Sequence, residues 1–478
     1  MHRGTAPLDI NSNRAQCFAM QVSDPVSSPP SVSSPRASRR IDIAIAGGGM
    51  VGLTLAIALG QVGLTVALID RQSPDRLTAA EADGRASAIA YGSQQLLTAI
   101  GVWQKISETG PIREIRVADG ALSGPAGGLV AAGLFVHYDV KELQPGAHDR
   151  KNSADRKNSV PTAFGWMVEN RLLREALFAR LAELPAIVKI MPGEVASTAV
   201  DGQGVTVTLA QGTLIKGETL RCDLLVAAEG RQSALRQAAG IGVTAWDYPQ
   251  TAIVCTLGHQ YPHHEVALET FLPVGPFATL PLAGGYRSSI VWTEHRDLAA
   301  HYLALSDASF AAEIKRRVGD HLGEIEVLGG RFSHPVGLLL AKQLTAPRLA
   351  MVGDAAHAIH PIAGQGLNLA FRGVAALAEI VVDTARLGLD FGAPEVLHHY
   401  ASARRTDTLT MAAVTDGLNR LFSTDAAPVR LVRDLGLGTV NTLPFVKRIF
   451  MRHAMGMRDG FTRGTLGELP RLIRGEAL

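Results

Sequence analysis

Residues 352–368 read VGDAAHAIHPIAGQGLN and crowd Asp354, His357, His360, Pro361, Gly364, Gly366 and Asn368 into otherwise apolar sequence. Such a set could hold a metal, act as an acid–base pair, or cradle a bound group. The two histidines are three apart, a spacing found in metal sites, but no third ligand stands at a helical or hairpin offset. The two glycines lie at the start of an apolar, helix-like run. There they would free backbone N–H groups and the positive end of a helix dipole for a ligand.

A second glycine cluster lies some 300 residues earlier. IAIAGGGMVGL is a strand that runs into Gly47-x-Gly49-x-x-Gly52 and then a helix. The glycines allow a tight turn and let a pyrophosphate approach the helix N-terminus. The next strand, LTVALID, ends in Asp70, 23 residues after Gly47, where a carboxylate can accept ribose hydroxyls. Together these features predict dinucleotide binding. A nicotinamide dehydrogenase has no evident use for a second glycine turn behind another buried strand, RLAMVGD. A flavin does: Asp354 at that strand's end can bind ribityl hydroxyls. The helix opened by Gly364, Gly366 and Asn368 suits the negative charge that collects on the ring of a reduced flavin.

The elements that position these residues are legible in outline. The chain has 478 residues, 47% hydrophobic and 19% charged, enough for two or three domains and a sizeable core. Its 46 basic and 44 acidic residues leave a net charge of +2, which gives no reason to expect nucleic acid. Three scattered cysteines exclude a disulfide framework and fit a reduced, intracellular setting. Ile43–Ile69 carries no charge and is long enough to span a membrane, but its six glycines divide it into strand, turn, helix and strand. Residues 1–40, with eight serines and five prolines, are expected to be a disordered leader. Helices are expected over 91–109 and Val168–Leu181, strands over Ile112–Val117 and Asp223–Ala228, and a hairpin from Val205–Leu209 with Leu214 onward. The DRKNS repeat at 149–153 and 155–159 marks a polar loop insertion. Short strands cut by Pro and Gly from Thr251 to Thr293 predict an antiparallel sheet, and the sequence from about Ala393 is helical.

GDAAHAIHPIAGQGLN resembles the second flavin motif of the group A FAD-dependent aromatic monooxygenases. More narrowly it is similar to the ubiquinone-biosynthesis hydroxylases of the UbiH/UbiF type. DGRASAIAYGS, FGWMVENRLLREAL, WDYPQTAIVCTL, ETFLPVGPFATLPL, YASARRTDT and TDGLNRLF resemble further family segments, in order, over about residues 41–440. The resemblance implies an α/β fold: a Rossmann-like FAD-binding domain of the para-hydroxybenzoate hydroxylase type, an inserted antiparallel-sheet substrate domain and a helical C-terminus. It divides the chain into FAD-binding segments 41–115, 161–240 and 335–392, substrate segments 116–160 and 241–334, and a C-terminal region 393–478. It implies FAD held by Gly47, Gly49, Gly52, Asp70, Arg85, Asn170, Arg171, Gly353, Asp354, Gly364, Gly366, Leu367 and Asn368, with Glu169 close by. Pro361, Gly364 and Gln365 would form the surroundings of the flavin ring. The implied chemistry is hydroxylation of a prenylated phenol or benzoquinol by dioxygen through a flavin C4a-hydroperoxide, without a protein nucleophile. NAD(P)H or a reduced electron-transfer protein would supply electrons. Other ubiquinone-biosynthesis proteins and a membrane surface are the implied partners. The implied location is cytoplasmic at the inner membrane, or the mitochondrial matrix in a eukaryote.

The middle motif departs from the family: AAEGRQSALR has Glu229-Gly230, with Arg236 beyond, where Asp-Gly is usual. Two other readings remain open at this stage, a hydroxylase of a soluble aromatic compound and a catalytically silent accessory subunit. His259, His263 and His264 are expected to be solvated. Arg404 and Arg405 are expected either to bind anionic lipid or to form a helix-surface ion pair with Asp407. Residues 441–478 carry seven Lys/Arg against three acids. Phe445, Ile449 and Phe450 there alternate with Lys447, Arg448 and Arg452 as a basic amphipathic segment does.

Overall fold

The computed structural model describes residues 39–79, 84–121, 130–143, 161–210, 219–422, 451, 455–456 and 470–478. Residues 1–38 of the leader, the DRKNS repeat and, Met451 apart, the basic amphipathic segment lie outside them; Arg39 and Arg40, expected in the leader, open the first strand instead. Ser38–Leu478 cluster as one compact unit.

The first strand, Arg39–Ala46, lies at the centre of a parallel set, with Val66–Ile69 on one side and Thr219–Ala227 on the other. Ile187–Ile190 extends one edge and Leu349–Met351 the other, all parallel. The hairpin Val195–Asp201/Gly204–Leu209 adds antiparallel to Thr219–Ala227. Ile43, Ile45, Val66, Leu68, Leu224 and Val226 are buried. That is why these strands read as unbroken apolar runs: helices cover the face they point to. The helix Met50–Gly60 is buried almost throughout, and it packs between the sheet and the helices Asn170–Ala182 and Gln365–Arg386. The uncharged stretch from Ile43 to Ile69 is therefore strand, helix and strand. Gln365–Arg386 is apolar and long enough to cross a membrane, but it is a core helix with 78% of its most apolar window buried.

A second sheet of eight strands runs in the order 357–358, 325–341, 243–259, 287–295, 275–281, 266–272, 114–121 and 130–139. All its pairs are antiparallel except 266–272 with 114–121. A small antiparallel sheet of 86–90, 165–169 and 110–112 completes the strands that frame the site.

Three details differ from expectation, each for a local reason. The boundary expected at 334/335 falls inside one strand, Ile325–Ala341, so residues 335–341 and His357–Ala358 belong to the antiparallel sheet. Pro335 is tolerated there because Tyr248, Pro249 and Gln250 bulge out of the facing strand, between the pairs Asp247↔Gly337 and Thr251↔Pro335. The helix expected over 91–109 ends at Ala99, because Gly101 takes φ +73° and its N–H bonds Thr98 O at 3.0 Å. The helix expected from Val168 starts at Asn170, since Val168 and Glu169 pair with Ser87 and Ala86 as strand. The expected hairpin of Val205–Leu209 with the sequence from Leu214 onward is found over its described part, where Val205 pairs with Cys222 and Thr208 with Thr219 antiparallel; the strand Gly204–Leu209 also pairs with the preceding residues 195–201.

Candidate functional site

The three glycines of the first turn have three separate jobs. Gly47 has φ +113° and donates its N–H to Ile69 O at 2.7 Å; a Cβ there would lie 2.2 Å from Ala228 O. A Cβ on Gly52 would lie 1.8 Å from Gly47 O, so this glycine lets helix and turn close together. Gly49 differs: a Cβ there meets no heavy atom within 4 Å. It caps the helix Met50–Gly60, which has no side-chain cap and no acid in its first turn. Uncapped N–H groups beside open space fit a pyrophosphate. Asp70 braces the same turn, with Oδ2 accepting Gly48 N–H at 2.6 Å and Oδ1 accepting Gln72 N–H at 2.7 Å. Each oxygen keeps a lone pair for a ribose hydroxyl.

The second motif is packed onto the first. Gly353, at φ +62°, lies so close to Val51 that a Cβ would be 3.2 Å from its methyl carbons. Asp354 therefore stands beside the first turn of the helix Met50–Gly60. Its side chain is solvent-accessible yet hemmed in by protein, the situation of a carboxylate on a cleft wall. Loss of bulk water pushes its carboxyl above the usual carboxylate range, and the positive charges of Arg231 and Arg85 pull it back. Hydroxyls of a bound ribityl chain would replace the missing water.

The middle motif holds that turn in place. Arg236 is buried and donates from Nη1 to Ala355 O at 2.9 Å and from Nη2 to Arg231 O at 2.7 Å. Glu229, the departure from the family pattern, accepts Ser233 Oγ at 2.6 Å and the Leu235 N–H at 3.1 Å. Its longer carboxylate thus caps the short helix Ala234–Ala238. Arg231 reaches Gly337 O at 2.5 Å, linking the two large sheets.

Gly364 has φ +61° and caps the helix Gln365–Arg386, again without a side-chain cap or an acid in the first turn. Gly366, like Gly49, would carry a Cβ into open space. Pro361 is exposed, Leu367 is half-buried, and Gln365 is buried. Asn368 is buried and spends its side chain on the backbone: Oδ1 accepts Ala90 N–H at 2.9 Å, and Nδ2 donates to Ala88 O at 2.8 Å and Gly364 O at 2.9 Å. It sutures the loop to the strand Ala86–Ala90, which begins beside Arg85. Asn170 acts from the other side of that strand. Its N–H donates to Arg85 O at 2.9 Å, and Ser87 Oγ donates to its Oδ1 at 2.6 Å. Arg171 turns instead to Glu175 at 2.6 Å, and Glu169 accepts from Arg287 at 2.7 Å.

The histidines are core groups. Burial holds His357 near pKa 3 and His360 near pKa 4, so both rings are neutral. His360 Nε2 lies 3.4 Å from Gln250 Oε1, and its Nδ1 has no partner. Among the described residues no three His, Cys, Asp or Glu side chains gather at metal-binding distance. His259 and His263, expected in solvent, are buried and bond Tyr261 O at 2.7 Å and Leu282 O at 2.9 Å; only His264 is exposed. Arg404 does pair with Asp407, at 2.6 Å, but the pair is buried and shared with Arg372 at 3.0 Å.

Sequence reasoning missed the bulge. It places Tyr248, Pro249 and Gln250 on the wall of a cavity of 610 Å³, with Trp246, Pro273, Val274, Asn419 and Arg420. Gln250 and Asn419 exchange amide hydrogen bonds at 3.2 and 3.3 Å, joining this cavity to His360 and so to the loop carrying Pro361. Tyr248 OH donates to Asp416 at 2.6 Å; burial and that carboxylate push its pKa up to about 12. Pro249-Gln250 in a strand was the available signal.

Comparison with known proteins agrees with this geometry. Residues 40–413 match the family described as FAD binding domain. The chain is 46% identical to ubiquinone hydroxylase UbiL of Rhodospirillum rubrum, over 94% of this chain and 97% of that protein. It is 32% identical to the 3-demethoxyubiquinol 3-hydroxylase of Escherichia coli, over 87% and 98%. Among solved structures, p-nitrophenol 4-monooxygenase PnpA from Pseudomonas putida superposes with a TM-score of 0.68 at 18% identity, over 88% of this chain and all of that one. The chain belongs to the FAD-binding monooxygenases of the ubiquinone-hydroxylase type, and FAD is its cofactor.

Proposed function

We propose that this FAD-dependent monooxygenase hydroxylates the aromatic ring of a prenylated phenol or benzoquinol intermediate of ubiquinone biosynthesis. The observation that carries the reading is the 46% identity to a ubiquinone hydroxylase over 97% of that protein's length, which takes in both flavin segments and the substrate sheet. When bound, FAD supplies the reduction of dioxygen and the transfer of one oxygen atom to the ring.

The chain's own residues do the rest. The N–H groups at Gly49–Gly52 receive the pyrophosphate, and Asp70 the ribose of the adenosine half. Asp354 takes the ribityl hydroxyls, while Arg85 lends positive charge beside it. Gly364, Gln365, Gly366 and Leu367 present N–H groups and a helix dipole to the ring edge where charge develops on reduction. Pro361 lines the reacting side. Asn170 and Asn368 act one step back, holding the strand 86–90 against the loop. The apolar faces of Phe271, Ile362 and Leu418, clustered at that loop, exclude water. A membrane surface, other proteins of the pathway and NAD(P)H or a protein donor are part of the same proposal.

The test is the quinone profile of a strain lacking the gene, by mass spectrometry of lipid extracts. Loss of ubiquinone with build-up of a prenylated, under-hydroxylated precursor is expected, and the precursor names the ring carbon. An unchanged profile in a strain with no second hydroxylase would refute the substrate.

A further inference from the structure

Gly84, the residue before Arg85, has no room for a side chain. A Cβ there would lie 2.0 Å from Cε2 and 2.6 Å from Cζ of Phe332. A Cβ on Gly330 would lie 3.3 Å from the same two atoms, so the edge of this ring is fitted against two glycines. Gly84 is not among the glycines at positive φ. Contact with the ring, rather than backbone conformation, is what calls for glycine at this position.

Phe332 belongs to the antiparallel sheet and reaches Gly84 because its strand, Ile325–Ala341, is irregular there. Between the pairs Thr256↔Leu328 and Val254↔Phe332 that strand sets Gly329, Gly330 and Arg331 opposite Cys255 alone. Gly329 takes φ +72°. Arg331 is tied down: it donates to Leu305 O at 2.6 Å, pairs with Asp307 and lies 4.3 Å from the ring centroid of Phe310. Neighbouring residues of a strand point to opposite faces, which leaves Phe332 to the face that Arg331 does not use. Farther along the same strand, Gly337 O accepts from Arg231 at 2.5 Å. One strand of the second sheet therefore bears on both cations that act on Asp354, on Arg231 directly and on Arg85 through Gly84.

We propose that Phe332 is a positioning residue of the flavin site: its ring fixes Gly84 and so aims Arg85 into the cleft where Asp354 stands. The inference rests on the reading that Arg85 and Asp354 hold the cofactor. Arg85 is exposed and follows the most permissive residue in the chain's alphabet. Its carbonyl oxygen is held by the Asn170 N–H at 2.9 Å, which fixes the backbone on one side only. The Phe332 ring supplies the restraint on the other side. With both in place less orientational freedom is left for FAD binding to remove from the guanidinium.

The experiment measures the FAD affinity of the full-length protein by flavin fluorescence on titration, for wild type, Phe332→Ala, Arg85→Gln and the double variant. Phe332→Ala is expected to weaken FAD about tenfold in the wild-type background and less than about twofold beside Arg85→Gln. A ring that merely packs would cause the same loss in both. Gly84→Ala, whose methyl meets the ring, should weaken FAD too, and adding Phe332→Ala to it should restore part of the affinity. Phe332→Leu, which lacks Cε2 and Cζ, is the second variant if Phe332→Ala fails to fold. Equal losses in the two backgrounds, full affinity without the ring, or no restoration beside Gly84→Ala would overturn the inference while leaving Arg85 in the site. Full affinity in Arg85→Gln would remove Arg85 from the cofactor set and take this inference with it.

Discussion

Arg236 donates from Nη1 to the carbonyl oxygen of Ala355 at 2.9 Å, so a buried guanidinium from the middle motif sets the turn that carries Asp354. The turn that carries Asp354, the carboxylate proposed to bind the ribityl chain, is held by a residue 118 positions away, counted from Arg236 to Asp354. Arg236→Met should therefore act at two levels. It leaves Ala355 O and Arg231 O without their donor, costing about 1–3 kcal/mol of stability. It should also weaken FAD binding at temperatures where the fold is intact, read by flavin fluorescence on titration. Loss of stability with unchanged flavin affinity would show that the turn holds itself.

Asp354→Ala should give folded protein with little bound flavin. A charge-assisted hydrogen bond to a ribityl hydroxyl is worth about 1.5–3 kcal/mol. The flavin-to-protein absorbance ratio after purification measures it, and full occupancy would remove Asp354 from the cofactor set.

The glycines of the first turn should separate folding from binding. Gly52→Ala places a methyl 1.8 Å from Gly47 O and should cost about 1–3 kcal/mol in thermal or urea unfolding of the apoprotein. Gly49→Ala meets no protein atom within 4 Å, so the apoprotein should unfold as wild type does. Its methyl nevertheless enters the space assigned to the pyrophosphate and should weaken FAD. Equal unfolding curves for both variants would contradict these roles.

Acid should destabilise the protein through His357 and His360. Burial lowers their pKa values from 6.5 to about 3 and about 4, so in the folded state both resist protonation. Below pH 6.5 the unfolded chain binds protons that the fold does not. Stability conferred by neutral rings is complete above that pH and falls as pH drops, by about 1.4 kcal/mol per unit for each histidine. The His360 contribution levels off below about pH 4. His360→Gln should flatten the decline between pH 6.5 and 4 in urea titrations at each pH, and an unchanged slope would mean that His360 titrates freely.

The first turn was legible because φ +113° at Gly47, and a Cβ on Gly52 that would lie 1.8 Å from Gly47 O, leave glycine as the residue for both positions. Parallel strands showed themselves as apolar runs, since both faces are covered. What stayed hidden depends on contacts distant in sequence. Nothing in the sequence around Asn368 shows that its side-chain amide bonds Ala88 and Ala90, some 280 residues earlier. Pro335 looked like a domain edge because a facing bulge cannot be read from one strand alone. His259 and His263 looked solvated because loops rich in Gly and Pro usually are; the fold folded this one under, against Tyr261 and Leu282.

The most direct test of the central claim uses photoreduced, FAD-loaded protein mixed with isotopically labelled dioxygen and a panel of prenylated phenols differing in their open ring positions. One labelled oxygen atom per reduced flavin should appear in the ring of one phenol, with the other recovered as water. Recovery of all the label as hydrogen peroxide, with every phenol unchanged, would contradict the account.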